Sequence, residues 1–213
     1  NEKANKLNSY LEKCDVIFHL GGENRSKKKK DFTKNNYKLT KSIVDKVCLL
    51  KCSPPIIFTS SIKVNEKNDY GTSKKKSEKY IISKLKSHNV NYSILRLPNV
   101  FGKWSKPNHN SFIATCCYNL LRNKRIKLNK DVSLNLIYID DVLEILLKEA
   151  KVCLKHRKIY RKVLKKIKSY SINLHNLYRI LLNFKNEYQS INNNLVNSKF
   201  KKKLFSTFIS FMP

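Results

Sequence analysis

The sequence predicts an α/β fold: a parallel sheet with helices on its faces. Three observations carry this. Short apolar runs alternate with stretches of helical spacing across residues 15–97, and such alternation demands crossover connections and hence parallel strands. The runs are apolar nearly throughout rather than at every second residue, as strands buried on both faces are. Each run ends in small or polar residues, at Gly21-Gly22, Ser60-Ser61 and Pro98-Asn99. Ligands of open parallel sheets bind beyond the carboxyl ends of the strands, so these ends mark the place to look for chemistry.

The elements follow in order. Asn8 to Lys13 reads as the end of a helix, and Asp15-Val-Ile-Phe-His-Leu20 as a strand stopped by the glycine pair. Asn36 to Lys51 shows helical spacing through Leu39, Ile43, Val44, Val47 and Leu50. Ile56-Ile-Phe58 is a second buried strand leading into Thr59-Ser60-Ser61. Thr72 to Ser87 is helical, with Tyr80, Ile81 and Leu85 on one side and lysines on the other, and Tyr92 to Leu97 is a third strand. Beyond it, Ser111 to Leu121 reads as a helix and Leu134 to Ile139 as a strand. Asp140-Asp141 then caps a helix running to about Leu154, a reading preferred to a metal site. Val152 to Lys168 reads as a basic helical connector, Leu174 to Phe184 as an amphipathic helix, and Leu204 to Met212 as a short apolar tail.

Composition narrows the function. A chain of 213 residues with 41% hydrophobic content can build a core of its own. No stretch approaches the roughly eighteen apolar residues of a membrane-spanning helix, so no membrane partner is expected. The start, Asn-Glu-Lys-Ala-Asn-Lys, does not read as a secretory signal; it lacks an initiating Met, which points to a fragment or a shortened gene. The formal charge of +30 would suit a polyanion binder. Its distribution does not: lysines are scattered over helix faces with one compact run at Lys27 to Lys30, and no nucleic-acid motif accompanies them. Compositional drift is the better reading, with no specific nucleic-acid partner. Six cysteines (14, 48, 52, 116, 117 and 153) show no Cys-x-x-Cys pair and no completing histidine. They read as buried free thiols with no metal, in a reducing cytoplasm.

Tyr70 and Lys74 stand four apart at a helix start, so both side chains face one way. A phenol with an ordinary pKa near 10 is a poor proton donor at neutral pH, and a lysine ammonium one turn away would lower that value. Ser61, nine residues earlier at a strand end, can hold a substrate oxygen. Together they read as proton donor, pKa modulator and oxyanion holder. The Tyr-x-x-x-Lys spacing alone is weak, because a chain this rich in both residues produces it by chance. Gly71 strengthens it by allowing close approach to the strand end.

At this point the motifs resemble a known family. Asp15-Val-Ile-Phe-His-Leu-Gly-Gly22, Asn36-Tyr-Lys-Leu-Thr40, Phe58-Thr-Ser-Ser61, Tyr70-Gly-Thr-Ser-Lys74 and Arg96-Leu-Pro-Asn-Val-Phe-Gly102 occur in the order found in extended short-chain dehydrogenase/reductases. The likeness is to the NAD-dependent epimerase/dehydratase branch. Arg96 to Trp104, Lys106-Pro-Asn-His-Asn-Ser111, Asn135 to Asp141 and Leu204 to Pro213 are most similar to its capsular-polysaccharide UDP-sugar 4-reductases, of UDP-N-acetyl-L-fucosamine synthesis. The resemblance implies a partial Rossmann-type sheet with a small helical substrate-side region. Residues 1–150 would form a partial dinucleotide-binding domain with interleaved substrate-side segments, and 151–213 the mainly helical remainder. It implies reduction of a 4-keto UDP-N-acetyl-dideoxy-sugar with NADP, NAD not being excluded. Catalysis would fall to Ser61, Tyr70 and Lys74, with Tyr70 as the acid. Leu20, Gly21, Gly22, Asn36, Ser60, Lys74, Pro98 and Val100 would meet the cofactor, and Arg25, Asn99, Lys103, Asn108 and Asn110 the sugar nucleotide.

The pattern also departs from that family. Its opening strand, Gly-rich turn and pyrophosphate-binding helix have no counterpart here, because Gly21-Gly22 leads into Glu-Asn rather than a helix. Gly stands at position 21 where Ala is usual, and the family's second, barrel domain has no counterpart either. The strand at residues 16–20 should therefore show an exposed apolar edge. Two readings result: a reductase completed by a missing domain or by a homo-oligomer, or a truncated, catalytically dead remnant that binds polyanions only non-specifically.

Overall fold

The computed structural model describes residues 2–51, 53–128, 132–155, 160–187 and 196–212. These divide into two compact units, one of residues 1–97 and 144–167 and the other of residues 98–143 and 168–213.

The first unit contains α1 (Glu2–Lys13), β1 (Ile17–His19), α2 (Lys29–Phe32), a π turn at Thr33–Lys38, α3 (Leu39–Cys48), β2 (Ile56–Ser61), a 3-10 turn at Ile62–Asn65, α4 (Asp69–Ser87) and β3 (Tyr92–Leu97). It also holds residues 144–155 of α6 (Ile139–Lys155), and β6 (Arg161–Leu164). The strands form a wholly parallel sheet in the order β1-β2-β3-β6. Strand alternation sorts its side chains onto two faces. Ile56, Phe58, Tyr92 and Ile94 share a core with Val44 and Val47 of α3 and Ile81 and Leu85 of α4. On the other face, the Ser93 hydroxyl donates to the buried Glu149 carboxylate of α6 at 2.6 Å. With both faces covered, β2 is almost continuously buried, which is why its sequence shows no alternation. This is the helix-flanked parallel sheet that the residue pattern predicts, of the Rossmann type that the family resemblance implies.

β6 departs from the sequence reading. The expected helix from Val152 to Lys168 stops at Lys155; residues 156–159 lie outside the described residues, and Arg161–Leu164 pairs parallel with β3. Its Arg-Lys-Val-Leu sequence carries little strand signal, but the open edge of β3 supplies a hydrogen-bonding row that a charged edge strand can meet. Arg161 secures it by donating to the Val90 carbonyl at 3.4 Å and to Asn89 Oδ1 at 3.2 Å. At the other edge β1 pairs only with β2 among the described residues, and Phe18 (37%) and Leu20 (55%) remain exposed.

The second unit contains β4 (Asn99–Phe101), α5 (Phe112–Leu121), β5 (Ser133–Tyr138), the first turn of α6, β7 (Tyr170–Asn173), α7 (Leu174–Glu187) and α8 (Lys199–Ile209). Its sheet has the order β4-β5-β7, with β4 parallel and β7 antiparallel to β5. Three helices pack around a core that includes Phe101, Cys117, Leu136, Leu177, Phe184, Leu204 and Phe208. The tail expected at Leu204 to Met212 is thus mostly helix α8, capped by the Ser198 hydroxyl. Asp141 sits in the first turn of α6, where the Lys203 ammonium donates to its carboxylate at 2.5 and 2.7 Å. Cys14, Cys48, Cys116, Cys117 and Cys153 are free thiols, while Cys52 lies outside the described residues.

Candidate active site

Three sequence devices bring Tyr70 to Ser61. Strand β2 ends at Ser61, whose Oγ accepts the Lys63 amide at 3.2 Å and so starts the 3-10 turn. Asn68 caps α4 by accepting the Gly71 amide at 2.8 Å. Gly71 then lies so close to the turn that a Cβ there would sit 2.6 Å from both the Lys63 and Glu66 carbonyl oxygens. No other residue type permits this approach of α4, which begins at Asp69 rather than at the expected Thr72 and so includes Tyr70 in its first turn.

The Tyr70 phenol lies within electrostatic reach of the Ser61 hydroxyl, and its ring meets Phe32 edge-on at 6.3 Å. Burial raises its pKa; the nearby Ser61 hydroxyl opposes that by favouring the phenolate, and the charge of Glu66 raises it further. The lowering expected from Lys74 is not among these influences. Lys74 is 6% exposed, donates to the Thr59 carbonyl at 3.0 Å and lies over the Phe58 ring at 4.8 Å. Burial lowers its pKa to about 8, partly countered by Glu78. Glu78 is held in turn by Arg96, whose Nε and guanidinium NH2 donate to its two oxygens at 2.9 and 2.6 Å.

Gly22 adjoins this group. A Cβ at Gly22 would fall 2.7 Å from Asn36 Oδ1 and 3.2 Å from Lys74 Nζ, whereas one at Gly21 would make only ordinary contacts, the nearest at 3.6 Å. Asn36 lies in the π turn, a widened helical turn of a kind often found at functional sites. Its Oδ1 accepts the Glu23 amide at 2.7 Å, and its Nδ2 donates to the Glu23 carbonyl at 2.9 Å and to Ser73 Oγ at 2.8 Å. Ser73 passes its own proton to the Tyr70 carbonyl at 2.7 Å. Sequence reasoning missed Ser73 and the π turn; only the Asn36 to Thr40 motif hinted at them.

His19, 4% exposed, ends β1 against Thr40 at 2.8 Å. The Thr40 hydroxyl spends its proton on the Asn36 carbonyl at 2.7 Å, so His19 Nε2 is the donor. Burial, and then the charge of Lys74, lower its pKa to about 4 and keep it neutral.

Ser61, Tyr70, Lys74, Gly22 and Asn36 are therefore gathered in the first unit, beyond the strand ends. Ser60 and Leu20 lie at the same strand ends, Ser60 buried and Leu20 exposed. Arg25 is exposed on the following loop and makes no ion pair among the described residues. Pro98, Asn99, Val100, Lys103, Asn108 and Asn110 belong to the second unit. There Asn99 donates to the Asn135 carbonyl at 3.2 Å, and the Asn108 amide donates to Thr115 Oγ1 at 2.9 Å.

One feature fits a dinucleotide on these residues. The Ser60 hydroxyl is buried with no hydrogen-bond partner among the described residues.

Comparison with known families settles the lineage. The model for the NAD dependent epimerase/dehydratase family matches residues 2–160. The chain belongs to that family. Within this epimerase/dehydratase family it is 34% identical, over 97% of its length, to the UDP-2-acetamido-2,6-beta-L-arabino-hexul-4-ose reductase of Pseudomonas aeruginosa. It spans 55% of that protein. The capsular polysaccharide assembling protein CapF from Staphylococcus aureus superposes with a TM-score of 0.79 at 30% identity, covering 98% of this chain and 55% of CapF. The UDP-glucuronic acid 4-epimerase from Bacillus cereus, solved with NAD, has a TM-score of 0.76 at 15% identity over 96% of this chain and 76% of its own, a likeness of fold. Among the described residues no helix is long and apolar enough to cross a membrane.

Proposed function

We propose that this chain carries the reducing centre of a 4-keto UDP-N-acetyl-dideoxy-sugar reductase in capsule or cell-surface polysaccharide precursor synthesis, with NADP or NAD as its cofactor. The observation that carries the reading is the gathering of Tyr70, the Ser61 hydroxyl at the end of β2 and Lys74 one helical turn on, in a largely buried site. The name of the Pseudomonas aeruginosa relative, a hexul-4-ose reductase, supports the substrate class. Because the chain spans 55% of that relative, the whole reaction and its partners, whether a further domain or a second copy, belong to the proposal.

Ser61 and Tyr70 would both bond to the 4-keto oxygen. When bound, the reduced nicotinamide supplies hydride to the keto carbon. Tyr70 gives its phenolic proton to the oxygen as negative charge develops there, and the Ser61 hydroxyl holds that charge and then the phenolate. Burial keeps the phenol protonated at neutral pH, which suits an acid rather than a base. Lys74, at about 8, is still mostly an ammonium near pH 7. Fixed by the Thr59 carbonyl, it would hold the cofactor ribose, with Ser60, Gly21, Gly22, Leu20 and Asn36 alongside; Pro98 and Val100 are further cofactor contacts that the family resemblance implies. Arg25, Asn99, Lys103, Asn108 and Asn110 would serve the sugar nucleotide.

The test is NADPH fluorescence titration at 50 and 300 mM salt, followed by turnover of the 4-keto UDP-sugar by wild type and Tyr70→Phe. Saturable, salt-tolerant binding and a loss of turnover by roughly a hundredfold or more in the variant are expected. Anion binding that vanishes with salt, without NADPH specificity, would instead mark a dead remnant held to polyanions by its charge.

A further inference from the structure

The chain has one tryptophan, and it is spent on the surface: Trp104 is 81% exposed. Its backbone is also strained. The non-glycine residues with positive φ among those described are Asn89, Asn108, Asn110 and Asn123, a type that tolerates this region, and Trp104 at 56°, a bulky type that does not. Strain of this kind persists only where surrounding structure imposes it, and it collects at ligand-binding sites. Here the imposing contacts are visible. The Trp104 amide donates to Ser210 Oγ at 3.3 Å, and Ser210 donates to the Thr207 carbonyl of α8 at 2.7 Å. Gly102 packs so tightly on Ile139 that a Cβ would lie 2.4 Å from it, and the Asn108 amide is tied to Thr115 of α5. The loop at residues 102–111 is thereby pinned at both ends with the indole outward, and the Lys103 ammonium lies 5.9 Å from the ring centre.

We propose that Trp104 is a stacking platform for the nucleobase of the sugar nucleotide, with Lys103 beside it for the diphosphate. This rests on the reading above, in which the substrate is a uridine diphosphate sugar. A rigid exposed indole presents a flat apolar face at little entropic cost, and bases stack on such faces whatever their sequence of polar groups. An adjacent cation meets the negative charge that always accompanies the base in a nucleotide. A solvent-facing Trp held in a costly backbone conformation has no packing reason to be there, and a stacking role supplies one.

The single Trp makes the test direct: titrate UDP and, separately, inorganic pyrophosphate, following Trp emission and calorimetric heat on the full chain. UDP should quench the emission and bind more tightly than pyrophosphate, which carries the charge without the base and should leave the emission unchanged. Trp104→Gly should then weaken UDP by roughly tenfold, bringing it towards pyrophosphate. Its melting temperature should hold or rise, because glycine accepts the positive φ without strain. Trp104→Phe should retain most of the UDP preference. Calorimetric UDP binding without quenching, or with unchanged affinity in Trp104→Gly, overturns the platform and leaves the reductase reading standing. Absence of any UDP binding overturns both, while NADPH binding still reports on the cofactor site by itself.

Discussion

Lys74 should be a net burden on the fold, and the burden should depend on pH in one direction. Its pKa falls from 10.5 to about 8 in the folded chain. At about 1.4 kcal/mol per unit, that difference represents about 3 kcal/mol. The sign follows from proton counting. Between pH 10.5 and 8 the unfolded chain carries the proton and the folded one does not, so stability falls as pH falls through this window; below 8 the cost is constant. Substitution by Met keeps the apolar stem and removes the charge. It also loses the bond to the Thr59 carbonyl, about 1 kcal/mol, and the contact with Phe58, about 1 kcal/mol. Lys74→Met is therefore expected to be about 1 kcal/mol more stable than wild type at pH 7, with that advantage reversing by pH 10.5. Urea denaturation of both proteins at intervals across pH 7–10.5 measures the difference, and the other lysines cancel because both chains carry them. A stability difference that stays flat across the window would refute the assignment of a desolvated amine. Turnover should be lost in the variant at every pH, so that the residue costs stability in order to serve the site.

Three further outcomes follow from the same geometry. His19, lowered to about 4 by burial and then by Lys74, stays neutral in the folded chain while the unfolded one protonates near 6.5; wild type should lose about 3 kcal/mol as pH falls from 6.5 to 4, and His19→Gln should lose little in that interval. Gly71→Ala should cost about 1–3 kcal/mol and depress turnover by moving Tyr70 off Ser61, since its Cβ meets two backbone oxygens at 2.6 Å; Gly21→Ala, with its nearest contact at 3.6 Å, should be close to neutral in denaturation. Glu78→Gln should cost about 3–5 kcal/mol by stranding the Arg96 guanidinium, and Arg96→Met in the same chain should recover a large part of it, a double-mutant cycle by denaturant melts.

What could be read in advance, and what could not, divides along a physical line. Burial on both faces wrote itself into β2 and β3 as apolar runs, and amphipathic spacing marked α3, α4 and α7, because each of these segments is stabilised chiefly by its own pattern meeting a core. The pairing of Tyr70 with Lys74 follows from helical periodicity alone. The sequence by itself thus determined the α/β class, the three strand ends and the catalytic trio as candidates. Tertiary structure decided the rest. Arg161–Leu164 is a strand because β3 offers it an edge, and Asn99–Phe101 and Tyr170–Asn173 are strands because β5 lies between them. The π turn at Asn36 depends on Glu23 and Ser73, which are 13 and 37 residues away in the chain. The charge balance of the site is likewise non-local: spacing places Lys74 near Tyr70, but burial and the Thr59 carbonyl determine where the ammonium points and how readily it keeps its proton. Local pattern records what a segment buries; the partners it buries against exist only once the chain has folded.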